Sequence, residues 1–212
     1  MANRIFASPS PHIHGGESTR RIMCDVVLAL LPALAVSTYI LGLRVLLITA
    51  VAVASCVVFE YLINRFFLKR SSTIGDLSAV VTGVLLAFNL PVGIPWWIVV
   101  IGALVAIGIG KMTFGGLGCN PFNPALTGRI FLLIAYPVQM TSFPQPISSD
   151  YVDAFAGATP LAALKAHAIE AGDVNLVNML AGVMPGSMGE IAALALLVGG
   201  VYMLWRKVIT WH

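Results

Sequence analysis

Cys24-Asp-Val-Val-Leu-Ala-Leu-Leu-Pro-Ala-Leu-Ala-Val-Ser-Thr-Tyr-Ile-Leu-Gly-Leu43 is the run that decides the fold class. It has the length of about 20 mostly apolar residues that an α-helix needs to cross a bilayer. Pro32 near its middle predicts a kink. The reading repeats down the chain. Val45–Leu62 is a second span, closed by Arg65, Lys69 and Arg70. Leu77–Leu90 is a third and short one, followed by Pro91 and Pro95. Trp96 and Trp97 suit the membrane interface. Ile94–Gly110 is a fourth, Gly-rich span ending at Lys111, and Ile191–Trp205 is a sixth, closed by Arg206 and Lys207. Between them a short helix is expected up to about Tyr136, before Pro137.

Composition excludes much else. The chain is 58% hydrophobic and 10% charged, against about 25% charged in ordinary soluble domains. Its net charge of +3 is too small to argue for nucleic acid. Cys24, Cys56 and Cys119 show no zinc, iron–sulfur or disulfide spacing and read as small apolar residues. His12 and His14 lack the further ligands a metal site needs. The first apolar run follows a polar arm, so no cleavable signal is expected.

The fold expected is an all-α integral membrane protein of about six transmembrane helices. It divides into an N-terminal arm (1–23), a five-span membrane repeat (24–137) with a broken helix near 115–136, a polar loop (138–187), and a sixth span with its end (188–212). With six crossings, Arg20, Arg21, Arg65, Lys69, Arg70, Lys111, Arg206 and Lys207 fall on one side, and Arg44 is the exception. The positive-inside rule makes that side cytoplasmic, so both ends lie inside and the polar loop faces outward.

Charges within or at the rims of spans are expensive. Asp25, Asp76 and Glu190 sit near span ends, where water is in reach, while Glu60 and Arg129 lie deeper. A Glu60–Arg129 pair is one way to neutralise both. Glu60 is the residue expected to serve ion passage. Gly115, Gly116 and Gly118 do not form a Walker or a dinucleotide fingerprint. The two Asn-Pro steps of Asn120-Pro121-Phe122-Asn123-Pro124 read as a broken or re-entrant helix, or as close helix packing.

The polar loop holds Asp153-Ala154-Phe155-Ala156-Gly157-Ala158-Thr159-Pro160-Leu161. Gly157 permits a tight turn. Leu161–Ala171 is rich in Ala and Leu, so Thr159 reads as the N-cap and Pro160 as the first residue of a helix. A cap is also where a phosphate is stabilised. The local pattern leaves both readings open, a plain cap or a phosphate ester.

At these residues the chain resembles RnfD, a membrane component of the Rnf ion-translocating ferredoxin:NAD oxidoreductase, and the related NqrB component of the sodium-pumping NADH:quinone oxidoreductase. In that family FMN is joined to a threonine by a phosphodiester. Asp153, Gly157, Ala158 and Thr159 match the attachment motif, and Ala156 stands where the family usually has Ser or Thr. The Asn120–Leu126 run and the Ser8-Pro9-Ser10-Pro11-His12 segment add to the likeness. The resemblance implies an inverted-repeat bundle of the urea-transporter kind, of which this chain holds the first half and one further helix, lacking the C-terminal spans. It implies covalent FMN on Thr159, placed there by a separate flavin transferase, because no nucleophile–base pair for self-attachment is visible nearby. It leaves room for a second, noncovalent flavin, riboflavin, near Asn120 and Asn123. It further implies a bacterial inner-membrane protein that passes electrons coupled to Na+ or H+ export. Its partners would be the other Rnf subunits (RnfA, RnfB, RnfC, RnfE and RnfG), with the covalent flavoprotein RnfG nearest. Other readings are a component of the sodium-pumping enzyme, a passive channel or carrier for a small polar solute, and a scaffold that anchors other subunits.

Overall fold

A computed structural model of the protein describes residues 18–69, 73–144, 156–157, 160–166, 182 and 185–211. Asp153, Ala158 and Thr159 lie outside the described residues, as do His12 and His14. The described chain is built from apolar helices with one two-residue antiparallel ladder, and it has the architecture of an all-α membrane protein.

Helix α1 runs Thr19–Leu41. It starts within the expected polar arm because Ser18 caps it, its hydroxyl accepting from the Arg21 amide at 3.3 Å. Thr19–Met23 are therefore helix, and the arm is correspondingly shorter. Gly42, at φ 87°, ends α1, and α2 begins at once over Arg44–Leu62. A π turn, Ile63–Phe67, prolongs α2. Helix α3 is Ser78–Phe88, and α4 is Trp96–Ile107, prolonged by a π turn over Gly108–Met112. Helix α5 is Pro124–Ala135 and α6 is Pro137–Thr141. Strand β1, Phe143–Pro144, pairs with β2, Ala156–Gly157. Helix α7 is Pro160–Lys165 and α8 is Ala193–Trp205.

Among the described residues two helices, Thr19–Leu41 and Arg44–Phe67, are long and apolar enough to cross a membrane, and four further apolar helices are shorter. The 11 residues of α3 rise about 16 Å, half a hydrocarbon core. The expected third span is thus a half-length helix. A non-helical segment, 89–95, carries the chain onward to the end where the Arg44 guanidinium donates to the Gly93 carbonyl at 3.2 Å. Helix α5 is unbroken and runs antiparallel to α4. Its Pro124 abuts Gly110 at one end, and at the other the Tyr136 ring meets Trp97 edge-on at 5.4 Å. The irregular backbone lies before α5, in residues 113–123, where Asn123 caps the helix by accepting from the Ala125 amide.

On α1 the burial pattern is the reverse of a soluble helix's. The buried stripe of α1 is Asp25, Ala29, Ala33, Ser37 and Leu41, while Leu28, Leu31, Val36 and Tyr39 are exposed. Small and polar residues face the bundle and large apolar ones face outward, as expected where lipid is the solvent. Close approach follows. A Cβ on Gly199 of α8 would lie 2.2 Å from the Ala29 carbonyl oxygen of α1, and one on Gly128 would lie 2.8 Å from the Gly102 carbonyl oxygen. The α1–α8 seam is closed further by Ser37, which donates to the Met188 carbonyl at 2.6 Å, and by Arg206, which meets Asp25 at 3.0 Å. Asp25, expected to reach water at a span end, is buried and partnered instead, with Tyr202 also donating to it.

Gly199→Ala is expected to destabilise the protein by about 1–3 kcal/mol through overpacking of that seam. Gly200→Ala, where a Cβ would have nothing within 4 Å, is the matched control expected to leave stability unchanged. Thermal unfolding of both variants in detergent reads the difference.

Candidate functional site

Glu60 lies in the last turn of α2 and is fully buried. An isolated carboxylate there would be prohibitively costly, so a cation must accompany it. That cation is Lys111, itself 2% exposed, whose Nζ lies 2.5 Å from Glu60 Oε2. Arg129 is not the partner: its guanidinium donates to Asn89 Oδ1 at 2.7 Å, one helix away. The physical reason is reach along the bundle. Arg129 sits on α5 beside the C-terminal end of α3, whereas Glu60 and Lys111 close the opposite end of the same helices.

Both helices that carry the pair widen into a π turn at this end. The Leu68 amide donates to the Ile63 carbonyl, and the Thr113 amide donates to the Gly108 carbonyl, each five residues back. Such turns are rare and often mark functional sites. The pair continues into a network. Lys111 Nζ also donates to Ser78 Oγ at 2.5 Å, and Ser78 Oγ donates to Asp76 Oδ1 at 2.5 Å. On the other side, Thr73 donates to Glu60 Oε1 at 2.5 Å, and Asn64 Nδ2 donates to Thr73 Oγ1 at 2.9 Å. Asp76 is held by this network and by the Ser78 amide at 2.8 Å. Among the described residues no buried side-chain N or O lacks a partner.

Two cavities lie beside the network. One, of about 200 Å³, is lined by Lys111, Ser78, Thr82, Asn120 and Asn123, with Met23 and Leu117 among its apolar walls. The other, of about 320 Å³, is lined by Asn64, Thr73, Asp76, Gly115 and Gly116. Gly115 and Gly116, at φ 109° and 102°, adopt left-handed backbone that lets the 113–123 segment fold over this end. Asn120 and Asn123 thus meet at one cavity, though each spends a side-chain group locally: Asn120 Nδ2 donates to the Phe122 carbonyl, and Asn123 Oδ1 caps α5. Glu190 is not part of this site. It is exposed, and its carboxylate accepts from the Ser187 amide at the start of the helical turn before α8.

Of the attachment motif, Gly157 is described, in the two-residue ladder that follows α6. Helix α7 begins at Pro160 and runs to Lys165; residues 167–171 of the expected Leu161–Ala171 helix lie outside the described residues. Sequence reasoning misses Lys111, which reads as one more basic residue at a span end. A signal is present: a buried Glu60 requires a cation, and Lys111 follows Gly102, Gly108 and Gly110, small residues that bring its helix close to its neighbours.

Lys111→Met is expected to cost about 3–5 kcal/mol, because it leaves the Glu60 charge buried and alone. Glu60→Gln/Lys111→Met is expected to recover most of that loss. A double-mutant cycle by thermal or denaturant unfolding in detergent measures the coupling.

Comparison with known proteins places the chain. The family model described as NQR2, RnfD, RnfE matches residues 6–212. The D subunit of the Na+-translocating ferredoxin:NAD+ oxidoreductase complex of Acetobacterium woodii is 50% identical over 212 residues, covering 98% of this chain and 64% of that protein. The D subunit of the proton-translocating ferredoxin:NAD+ oxidoreductase complex of Clostridium ljungdahlii is 38% identical, covering 99% and 65% respectively. The D subunit of the ion-translocating oxidoreductase complex of Actinobacillus succinogenes is 35% identical, covering 96% and 67%. The chain therefore spans about two thirds of the length of the curated relatives it matches. On a match of this extent, the chain belongs to the NQR2, RnfD, RnfE family.

Proposed function

We propose that this chain is a membrane component of an ion-translocating ferredoxin:NAD+ oxidoreductase, with FMN held as a phosphodiester on Thr159 and with Glu60 on the path of Na+ or H+. The observation that carries this reading is the family match over residues 6–212 together with the motif Asp153, Gly157, Ala158, Thr159 inside it. The names of the relatives supply the reaction class, and the 50% identity to a ferredoxin-linked relative favours that donor over NADH with quinone.

The geometry suits this division of labour. Arg20 and Arg21 open α1, Arg65 lies in the π turn after Glu60, and Arg206 closes α8. By the positive-inside rule that end is cytoplasmic, so the Glu60–Lys111 network lies toward the cytoplasm. The flanks of Thr159, Gly157 and Pro160, belong to the ladder and helix beyond α6, toward the opposite face. FMN at Thr159 supplies one-electron transfer; the protein supplies the tether. Attachment calls for a flavin transferase that moves the FMN moiety of FAD onto the Thr159 hydroxyl. The other Rnf subunits (RnfA, RnfB, RnfC, RnfE and RnfG) are the assembly partners in this reading, and RnfG receives or gives the electrons.

A second flavin, riboflavin held without a covalent bond, belongs beside Asn120 and Asn123. The cavity of about 200 Å³ they line is smaller than the ~300–1,000 Å³ of ordinary ligand pockets. The described residues therefore do not by themselves form a pocket that fits a flavin.

The test is flavin fluorescence of the denatured protein in a gel, wild type against Thr159→Ala, made in cells that contain a flavin transferase. The wild-type band is expected to fluoresce, its Thr159 peptide to carry an FMN-sized mass increment, and the variant to be dark. A dark wild-type band in a transferase-competent host would overturn the flavin reading and leave a passive carrier for a small polar solute.

A further inference from the structure

We propose that Lys111 is a tethered cation seated in the binding position of a small, hard monovalent metal ion, which enters by displacing the Lys111 ammonium from Glu60. The proposal rests on the reading that Glu60 lies on the ion path, and it adds a competitor and a route.

The first argument is the chemistry of the seat. The Lys111 Nζ contacts are oxygens, Glu60 Oε2 and Ser78 Oγ. Further oxygens, Glu60 Oε1, Thr73 Oγ1 and Asp76 Oδ1, adjoin them through the network. Carboxylate and hydroxyl oxygens without nitrogen or sulfur are the donors that hard cations take, not those of a transition metal. The second argument is charge balance. A fully buried carboxylate needs one positive charge beside it, and a monovalent cation meets that need at Glu60; the displaced ammonium stays in the protein and is balanced by the second carboxylate of the network, Asp76.

The third argument is access. The network that holds the pair reaches two cavities: Lys111 itself lines the smaller, and Thr73, which donates to Glu60, lines the larger. Thr73, Asp76 and Asn64 face the one of about 320 Å³, and Ser78 and Lys111 face the one of about 200 Å³. An ion therefore reaches Glu60 from the Thr73 side, while the flexible Lys111 stem has room to withdraw into the cavity it already lines. Asn120 lines that cavity too. Its amide nitrogen is spent on the Phe122 carbonyl, so its oxygen remains to receive the ammonium.

The tether lowers the apparent affinity for the free ion, since the site is open only when Lys111 has left. Two measurements test this. The first is unfolding temperature of the detergent-solubilised full chain in NaCl, LiCl or choline chloride at constant ionic strength and pH. Lys111→Met is expected to be stabilised by Na+ or Li+ over choline, at least twice as strongly as wild type, and Glu60→Gln/Lys111→Met is expected to lose the effect. The second is ferredoxin-driven cation uptake by inverted vesicles holding the assembled complex. There Lys111→Gln is expected to lower the Na+ concentration for half-maximal uptake by about tenfold.

An equal Na+ response in wild type and Lys111→Met overturns the proposal, as does a response that survives in the double variant. A dependence on pH alone, with Na+, Li+ and choline indistinguishable, also overturns it and makes the site protonic. A Lys111→Met chain that folds only with Na+ or Li+ present supports it, and one that fails to fold in every salt overturns it. The underlying reading fails separately: if Glu60→Gln leaves vesicle uptake intact, Glu60 is off the path whatever Lys111 does.

Discussion

A negative charge shut inside an apolar bundle must have a positive one beside it, and much of this structure follows from meeting that demand at Glu60. The demand brings the C-terminal ends of α2 and α4 together, because Glu60 sits on one and Lys111 on the other. It recruits the start of α3, because Lys111 Nζ also requires Ser78. It coincides with the π turns, which end both helices at the same level. Continuum reasoning and experiment agree that such a pair is weak evidence for stability, since two apolar residues of similar volume often do as well. Two cavities lie beside its network, one lined by Lys111 and the other by Thr73.

Helix packing sets the rest. The bundle has little hydrophobic drive between its helices, because lipid is as apolar as leucine. Association then relies on contact distance, and the glycines Gly83, Gly102, Gly110, Gly128 and Gly199 let backbones touch where a Cβ would collide. Helix α8 shows the strategy plainly: one glycine, one serine hydrogen bond and one ion pair hold it along α1, at its middle and near both ends.

Much of this was legible in the sequence. Apolar runs with few charges announce membrane helices whatever their packing, so α1, α2, α4 and α8 appear close to where periodicity and length put them. The short α3 also lies within two residues of Leu77–Leu90, and Pro91 and Pro95 mark the irregular backbone of 89–95 that follows it. The Asn-Pro steps do mark irregular backbone, but the break precedes Pro124, which opens a sound helix as its first residue. The partner of Glu60 escapes sequence reasoning for a related cause. A lysine after an apolar run has the same local signature whether it reaches headgroups or turns inward, and only the positions of its neighbours, Ser78 and Glu60, distinguish the two. Asp25 carries the same ambiguity, and its resolution lies 181 residues away at Arg206.

The reversed burial has a consequence for how this sequence can drift. On α8, Leu194, Leu197, Val198 and Val201 are exposed, away from α1. Exchange among Leu, Ile, Val and Phe there disturbs none of the packing among the described residues. Gly199, on the opposite face, faces the Ala29 backbone and has no tolerated neighbour in side-chain space. On this helix the exposed face is free in shape, whereas Gly199 is free in neither shape nor polarity.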